Sequence, residues 1–220
     1  MIELWLVRHG ETDWNRELRF QGHLDAPLNP LGLQQAHRLG EHLCRQPPRL
    51  LLASDLLRTR QTAQPVGDGW QTEAAPEILW REQSFGVIEG LTLHEVRERH
   101  PEVVAGWQSH DPDFAPDGGE SRRQFHARVM HAVQDLVQRC AREGLTAALV
   151  VSHGGVLDML HRSASGQSLA GPRQCPIPNA GINRIRTDGE HFEILEWAWT
   201  GHLQGLPPSA VYPVATPSSA

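Results

Sequence analysis

Two histidines, His9 and His153, each follow a short apolar run and are each followed by a glycine. The runs, residues 2–7 and 147–151, have the composition of buried parallel strands, and the glycines favour a turn into a helix. Ligands of an open α/β sheet bind beyond the carboxyl ends of its strands. Two imidazoles at such ends, with the guanidinium of Arg8 and the N–H groups of helix starts, predict an anion-binding site.

A third strand end should bring another cation, Arg58, to the same edge of the sheet. Residues 50–53 are typical of a buried strand, and the pair Ser54-Asp55 can cap a following helix that carries Arg58 about one turn further on. A short extended piece over residues 77–80 then leads to Glu82. Taken alone, Glu82 is interpreted as a solvated carboxylate at the surface.

A helix is predicted between the first two strands. Asn29-Pro30 is typical of an N-cap followed by proline at the first helical position, and Pro47-Pro48 should end the helix near residue 46. Its apolar residues recur at helical spacing and are expected to face the core: Leu33, Ala36, Leu39, Leu43 and Cys44.

The second half of the chain begins with a short surface helix, predicted over residues 92–99. Residues 108–120, rich in Asp, Pro and Gly, indicate a loop. Ser121 and Gln124 fit a capping box that opens a long helix. One face of that helix is apolar and consists of Phe125, Val129, Ala132, Val133, Leu136, Val137 and Cys140.

The last predicted elements are a helix over about 155–163 and two strands, 182–187 and 191–198, joined by the hairpin signal Asp188-Gly189. Strands and helices in this order predict an α/β fold, a three-layer α/β/α sandwich with a mostly parallel sheet. Three strand ends would then deliver both histidines and both arginines to one edge.

The composition is that of one globular domain. The chain has 220 residues, of which 39% are hydrophobic and 21% charged, so we expect a single domain over residues 1–203. Residues 204–220 are rich in Pro, Ser and Ala and predict a disordered or loosely attached tail. The net charge of −6 disfavours nucleic acid as a partner. No signal peptide and no run of about 18 apolar residues is present, so we expect no membrane partner.

All 20 basic residues are arginine, which excludes Schiff-base chemistry and a Walker-type phosphate lysine. Cys44, Cys140 and Cys175 are odd in number and far apart, so neither a disulfide framework nor a zinc site is indicated. Cys44 and Cys140 fall at apolar helical positions and should lie in the core. A reducing, cytoplasmic setting is therefore expected. We predict no cofactor and leave the oligomeric state open.

Several segments carry a family pattern: residues 6–15 (LVRHGETDWN), 21–28 (QGHLDAPL), 54–63 (SDLLRTRQTA), 82–90 (EQSFG followed by EG), 118–121 (GGES) and 152–155 (SHGG). Together and in this order they resemble the histidine phosphatase superfamily, also called the phosphoglycerate mutase-like family. The resemblance covers most of residues 2–200 and is strongest to its small broad-specificity and α-ribazole phosphatase-like branch. It implies the phosphoglycerate mutase-like fold and a small phosphate ester as substrate.

The resemblance also implies a phosphohistidine mechanism without a metal. His9 would be the nucleophile and Glu82 the proton donor. The phosphate oxygens would be held by Arg8, Asn15, Arg58 and His153, with Gln21 and Gly22 lining the near side of the pocket.

The residue chemistry is consistent with these roles. His9 must be neutral, which nearby cations favour, and its second ring nitrogen should donate to a backbone carbonyl that fixes the tautomer. A protonated His153 would make three positive charges face the phosphate dianion. Glu82 must hold a proton for the leaving oxygen and then accept one from the attacking water.

Three functions remain open at this point. A phosphomonoester hydrolase is favoured over a 2,3-bisphosphoglycerate-dependent mutase, because Gln83-Ser84-Phe85 and Gly154-Gly155 depart from the mutase pattern. A non-catalytic phosphate- or phosphopeptide-binding module would have no use for Glu82. Substrate selectivity is expected from residues 84–115 and 173–180 at the pocket mouth.

Overall fold

The computed structural model describes residues 1–45, 48 and 50–209, which form a mixed six-stranded sheet flanked by helices. The strands are β1 (Ile2–Arg8), β2 (Leu50–Ala53), β3 (Ala75–Pro76), β4 (Ala147–Ser152), β5 (Ile182–Thr187) and β6 (Phe192–Trp199). The helices are α1 (Asp13–Arg16), α2 (Pro30–Leu43), α3 (Leu57–Trp70), α4 (Leu93–Arg99), α5 (Pro101–Gln108), α6 (Arg122–Glu143) and α7 (Gly154–Ala164). Short 3₁₀ helices cover Ile78–Trp80, Gly86–Ile88 and Gly201–Leu203.

The strand order across the sheet is β3-β2-β4-β1-β5-β6. The first four of these strands run parallel, while β5 is antiparallel to β1 and β6 is antiparallel to β5. The α/β fold with a largely parallel sheet is thus confirmed. The antiparallel edge is the predicted hairpin, in which Asp188 Oδ1 accepts hydrogen bonds from the N–H groups of Glu190 and His191.

The core is divided by the sheet into two apolar layers. Successive residues of β4 point to opposite faces, as strand geometry requires: Val150 packs with the layer under α6 and α7, and Val151 with the layer under α2 and α3. The predicted apolar face of α6 is confirmed, with Phe125, Val129 and Cys140 fully buried, and the Ser121–Gln124 capping box is formed. The strand ends that carry the predicted site residues therefore leave a packed core at one edge of the sheet.

Helix α2 begins where the sequence predicts, because the Asn29 side chain accepts a hydrogen bond from Gly32 N. It ends at Leu43 rather than near residue 46, and Pro47 of the predicted stop signal lies outside the described residues.

Two residues assigned to the buried face of α2 were wrong. Leu33 is 50% exposed and Cys44 is only half-buried. The packing face instead includes Gly32 and Gly40, where an added Cβ would lie 2.1 Å from a backbone oxygen of Glu11 and 2.7 Å from Pro65 of α3. Because glycines allow close packing, the buried face of α2 includes positions without an apolar side chain. A pattern of apolar residues alone cannot reveal such a face.

The predicted cap of α3 was also wrong. The N-cap is Leu56, and Asp25, distant in sequence, accepts the hydrogen bond from Leu57 N at 2.6 Å. Asp55 instead forms an ion pair with Arg81, which lies next to Glu82 in the chain. A side chain from another loop therefore replaces the local cap.

Two smaller differences concern the segments around the pocket mouth. Residues 78–80 form a 3₁₀ helix, and the extended pairing with β2 is made by Ala75–Pro76 instead. The surface helix over 92–99 is present as α4, and α5 follows it, which the sequence did not predict because only Pro101 marks its start. Together α4 and α5 pack over a small separate apolar cluster.

The described part of the predicted tail contacts the domain. Gln35 Nε2 of α2 donates a hydrogen bond to Ser209 Oγ at 2.6 Å, while residues 210–220 lie outside the described residues. None of the helices in the described part of the chain combines the length and hydropathy needed to cross a bilayer.

Candidate active site

The parallel pairing of β1 with β4 brings the two predicted histidines together. Arg8 is paired in register with Ser152, so the next residue of each strand, His9 and His153, leaves the sheet at the same edge. Their ring centroids are 5.3 Å apart with an interplanar angle of 60°. Arg8, His9 and His153 are all buried, so the two imidazoles are withdrawn from solvent.

Arg58 reaches the same edge from the first turn of α3, which follows β2. The side chain is fully buried, and its two terminal nitrogens each donate to a backbone oxygen at 2.8 Å, of Leu24 and of Gly22. Gly22 has a φ of +50°, a conformation that favours glycine. The loop after α1 therefore fixes the guanidinium, and its Nε atom keeps no hydrogen-bond partner among the described residues.

The tautomer of His9 is set by its own loop. Nδ1 lies 2.7 Å from the backbone oxygen of Gly10, which accepts the ring proton and leaves Nε2 as the unprotonated nitrogen. Burial, followed by the positive charges of Arg58 and Arg8, lowers the pKa of His9 well below its usual value of 6.5. The ring is therefore neutral at pH 7, as a nucleophile must be, and burial contributes more to this than the cations on which the sequence argument relied.

His153 differs from the sequence expectation in its charge. Burial, with smaller effects from Arg58 and His9, lowers its pKa well below 6.5. His153 is thus a buried neutral ring whose two nitrogens lack a hydrogen-bond partner among the described residues, rather than a third fixed cation.

Glu82 points its carboxylate at the start of α7. Its two oxygens accept hydrogen bonds from Gln83 N at 2.9 Å and from Gly155 N at 3.0 Å. A Cβ at position 155 would lie 2.1 Å from the carboxylate, so this approach requires glycine. The second glycine of the His-Gly-Gly motif thereby brings Glu82 close to His153.

The backbone around Glu82 is held by an ion pair that the sequence did not reveal. Arg128 of α6 donates to the backbone oxygens of Leu79, Arg81 and Glu82 at 2.9–3.0 Å and pairs with Glu120 at 2.6 Å. Burial alone would raise the pKa of Glu120, but hydrogen bonds from Arg128 and from the backbone N–H of Ser84 lower it overall. The charged pair therefore stays intact at neutral pH and fixes the segment that carries the carboxyl group.

Asn15 and Gln21 are tied to the site through Thr12. Asn15 Oδ1 accepts hydrogen bonds from the N–H and hydroxyl of Thr12 at 3.0 and 3.1 Å, and Gln21 Oε1 lies 3.1 Å from the same hydroxyl. With both amide oxygens engaged, the amide nitrogens are the groups available to donate to an anion. Asn15 therefore has a structural role in the cap of α1 as well as a place in the pocket.

A cavity of about 480 Å³ is lined by seven of the eight predicted site residues: Arg8, His9, Asn15, Gln21, Gly22, Arg58 and Glu82. His153, the eighth, lies against His9 rather than on the cavity wall. The sequence missed two further groups on the wall. One is aromatic and includes Phe20, Phe85, Trp107 and Phe114, and the other consists of Arg19, Arg122 and Arg173. Several of these fall within the two ranges expected at the pocket mouth, 84–115 and 173–180.

The segment around residues 173–180 also supports the loop that carries Arg8 and His9. Asn179 Nδ2 donates to the backbone oxygen of His9 at 2.9 Å, and Ala180 N donates to that of Arg8. Arg8 Nη1 in turn donates to Ile177 O at 2.8 Å. The sequence offered no signal for these contacts, because they depend on where an irregular segment crosses the sheet edge.

The arrangement can bind a tetrahedral oxyanion and place it against a neutral imidazole nitrogen. Guanidinium groups and backbone N–H groups supply positive charge and donors, and a carboxyl group close by can exchange a proton. Within the described residues, no cluster of three or more His, Cys, Asp or Glu side chains is arranged to hold a metal ion.

Comparisons with known proteins agree with this geometry. Residues 4–200 match the family model described as the histidine phosphatase superfamily (branch 1). A metal-independent phosphoserine phosphatase of Arabidopsis thaliana is 32% identical over 94% of this chain and 85% of its own length. A phosphoglycerate mutase-like protein 4 of the same organism is 34% identical over 92% of this chain and 87% of its own.

Solved structures give the same result. The chain superposes on the Bacillus stearothermophilus protein YhfR with a TM-score of 0.80 and 31% identity, covering 93% of this chain and all of that one. A mycobacterial glucosyl-3-phosphoglycerate phosphatase, solved as a complex with VO3, has a TM-score of 0.77 and 29% identity over 91% of this chain and all of its own.

Proposed function

Because this chain belongs to the histidine phosphatase superfamily (branch 1), we propose that it hydrolyses phosphate monoesters through a phosphohistidine formed on His9. The enzyme is a phosphoric monoester hydrolase. The observation that carries the residue assignment is the state of His9: a buried neutral ring whose Nδ1 is engaged by a backbone oxygen, beside two guanidinium groups. A module that only binds phosphate would need the guanidinium groups but not this nucleophile or the nearby Glu82.

In the first step, His9 Nε2 attacks the phosphorus atom in line with the ester bond. The P–N bond forms as the P–O bond to the alcohol breaks, and Glu82 gives its proton to the departing oxygen. Arg8 and Arg58 hold the phosphoryl oxygens and offset the negative charge that spreads over them. His153 and the amide nitrogen of Asn15 add neutral hydrogen bonds.

In the second step, water attacks the phosphohistidine from the side that the alcohol has left. The Glu82 carboxylate accepts a proton from the water while the P–N bond breaks, and phosphate is released with His9 restored. One carboxyl group serves both steps because it donates a proton in the first and regains a proton in the second. The arginines take the electrostatic part that metal ions play in other phosphoryl-transfer enzymes, so the proposed reaction needs no metal.

The proposal extends to location. Cys44, Cys140 and Cys175 are present as thiols, which reducing compartments favour, and this supports the cytoplasm as the site of action.

Phosphoglycerate mutase activity is the second candidate and the less favoured one. Relatives named as probable phosphoglycerate mutases are 31–32% identical to this chain, and Arg122 and Arg173 supply extra cations at the pocket wall. Conversion of 3-phosphoglycerate to 2-phosphoglycerate, measured with and without 2,3-bisphosphoglycerate, separates the two activities. Release of inorganic phosphate without isomerisation supports the hydrolase.

The central experiment traps the phosphoenzyme. Purified protein is mixed with a ³²P-labelled ester, quenched in alkali and assayed for acid-labile, alkali-stable label, in the presence of EDTA. We expect label and turnover in the wild type, neither in the His9→Asn variant, and both in a His94→Asn control on the surface of α4. Turnover by the His9→Asn variant would falsify the proposal. So would a wild-type activity that EDTA abolishes completely and added Mg²⁺ restores.

A further inference from the structure

A second group of cations lies beside the phosphate-binding residues and is not used by the proposed reaction. Asp158 of α7 pairs with Arg162 at 3.0 Å and lies 3.8 Å from Arg173 Nε. Arg122, at the start of α6, is close enough that burial and the charges of Arg162 and Arg173 lower its pKa. Three guanidinium groups thus share one carboxylate, which leaves an excess of positive charge at this wall.

The three arginines differ in how far their hydrogen bonds are already used. Arg162 is fully buried and donates to the backbone oxygens of residues 168 and 170–172, so it shapes that loop. Arg122 Nη1 donates to the oxygens of Leu169 and Gly171. Arg173 makes no hydrogen bond to any described residue, and its Nε is buried without one. Arg173 is therefore the guanidinium with donors left for a ligand.

Arg173 is also next to the phosphate site. A Cβ added at Gly154 would lie 3.4 Å from Arg173 Nη2 and 3.4 Å from Arg8 Nε, so these two nitrogens are within twice that distance of each other. Both arginines, with Arg122, line the same cavity. An anion bound by Arg173 would accordingly be separated from the transferred phosphoryl group by only a few bonds.

We propose that Arg173, assisted by Arg122, forms a second anion subsite, and that the preferred substrates are phosphate monoesters whose alcohol part carries another anionic group. The inference depends on the proposed function, because it concerns the leaving group of that reaction. Cations that are partly withdrawn from water and not balanced by carboxylates are unfavourable. A carboxylate or second phosphate on the substrate would supply the missing negative charge in a charge-assisted hydrogen bond.

The test uses three esters of equal chain length: propyl phosphate, 3-phosphooxypropanoate and propane-1,3-diol bisphosphate. They differ only in whether the far end is a methyl group, a carboxylate or a phosphate. The quantity measured is the ratio of kcat/KM for each ester with a second anionic group to that for propyl phosphate. The two anionic arms distinguish a carboxylate from a phosphate as the group recognised.

We expect the wild type to favour at least one anionic ester, and the Arg173→Gln variant to lose about 10- to 100-fold of that ratio, as removal of a charge-assisted contact does. The matched control is Arg123→Gln, which removes an equal charge from an exposed ion pair with Asp113 and should keep the ratio. Thermal unfolding of both variants is measured alongside, so that a folding defect is recognised by its uniform effect on all three esters.

Two results would overturn the subsite. One is a wild-type enzyme without preference for either anionic ester. The other is an equal loss on all three esters in Arg173→Gln, which would make Arg173 a ligand of the transferred phosphoryl group or a structural residue. If no ester is turned over and no phosphoenzyme forms, the proposed function itself has failed, and that outcome also removes the subsite.

Discussion

His9 and Glu82 carry the proposed proton and phosphoryl transfers, and the protein treats them differently. His9 is buried with a single backbone acceptor for its ring proton, so it is neutral and aimed. Glu82 is half-buried and held by two backbone N–H groups, one of them at the start of α7. The nucleophile is thus withdrawn from water, while the acid keeps the partial solvent access that proton exchange needs.

Replacing Glu82 with glutamine should separate the two chemical steps. For propyl phosphate, whose alcohol is a poor leaving group, we expect kcat to fall by about 10²–10⁴-fold because the departing oxygen receives no proton. For 4-nitrophenyl phosphate, whose phenolate leaves unprotonated, the first step should survive while attack by water stays slow. Rapid-quench measurements should therefore show a burst of 4-nitrophenol and accumulation of phosphohistidine.

The control for this prediction is Glu73→Gln, an exposed carboxyl group elsewhere on the chain, which should behave as the wild type. Equal losses on both esters without accumulation of the phosphoenzyme would show that Glu82 is not the proton donor.

Among the secondary-structure elements, the long helix α6 positions the acid from a distance. Arg128 reaches from its first half to three backbone oxygens that precede or belong to Glu82, and Glu120 completes the contact through Ser84. We regard Arg128 as a positioning residue because it touches the segment carrying the acid rather than the substrate. Its loss should displace the Glu82 carboxyl group without moving Arg8 or Arg58.

Arg128→Gln is expected to lower kcat for propyl phosphate by about 10- to 100-fold, the range that a displacement near 1 Å produces, with a smaller change in KM. The matched control is Arg142→Gln near the end of the same helix, which removes an equal charge from an exposed side chain. If Arg128 acts through Glu82, the rate of the first step should fall less with 4-nitrophenyl phosphate, because its phenolate leaves without a proton. A loss equal on both esters, accompanied by a lower Tm, would indicate a general structural role.

The success of sequence reasoning varied with how local each determinant is. The strand ends that carry His9 and His153, and the capping box that opens α6, depend on neighbours in sequence and were correctly predicted. Two other contacts join residues far apart in the chain. Asp25 caps α3, and Arg128 donates hydrogen bonds to the backbone before and at Glu82. No spacing pattern contains such contacts.

The site shows the same division. Seven predicted residues meet in one cavity because the family motifs place them at strand ends and loop turns. Arg173 and Trp107 also line that cavity but lie in irregular or weakly patterned stretches, where the sequence indicated only a range. Leu33 shows the converse error, since an apolar residue at helical spacing proved exposed once Gly32 and Gly40 had set the packing face.

At the scale of the whole molecule, the buried polar and charged side chains of the site lie together at one edge of the sheet. Arg8, His9, Arg58 and His153 are buried there, at the ends of strands whose other residues form two apolar layers. A fold that withdraws cations and neutral imidazoles from water is stabilised by any anion that binds to the folded state only. The domain boundary predicted at residue 203 stays a prediction.

The burial of both imidazoles should make stability depend on pH. In the folded protein the pKa values of His9 and His153 lie well below 6.5, whereas in the unfolded chain they return to about 6.5. As the pH falls through 6.5, the unfolded state takes up protons that the folded state does not, so the free energy of unfolding should decrease. Each such imidazole contributes a slope of at most about 1.4 kcal/mol per pH unit.

The measurement is urea unfolding at pH 7.5 and 5.5 for the wild type, for His9→Asn and His153→Asn, and for the exposed His94→Asn as control. Other partly buried histidines, such as His126 and His202, also have lowered pKa values, but they are common to all four proteins and cancel in the comparison. Each active-site variant should lose less stability on acidification than the wild type, while the control should match it. Added phosphate should stabilise the wild type more than either active-site variant. An unchanged pH slope in both variants would mean that the two rings are solvated and charged in the folded enzyme, which is incompatible with His9 as a buried neutral nucleophile.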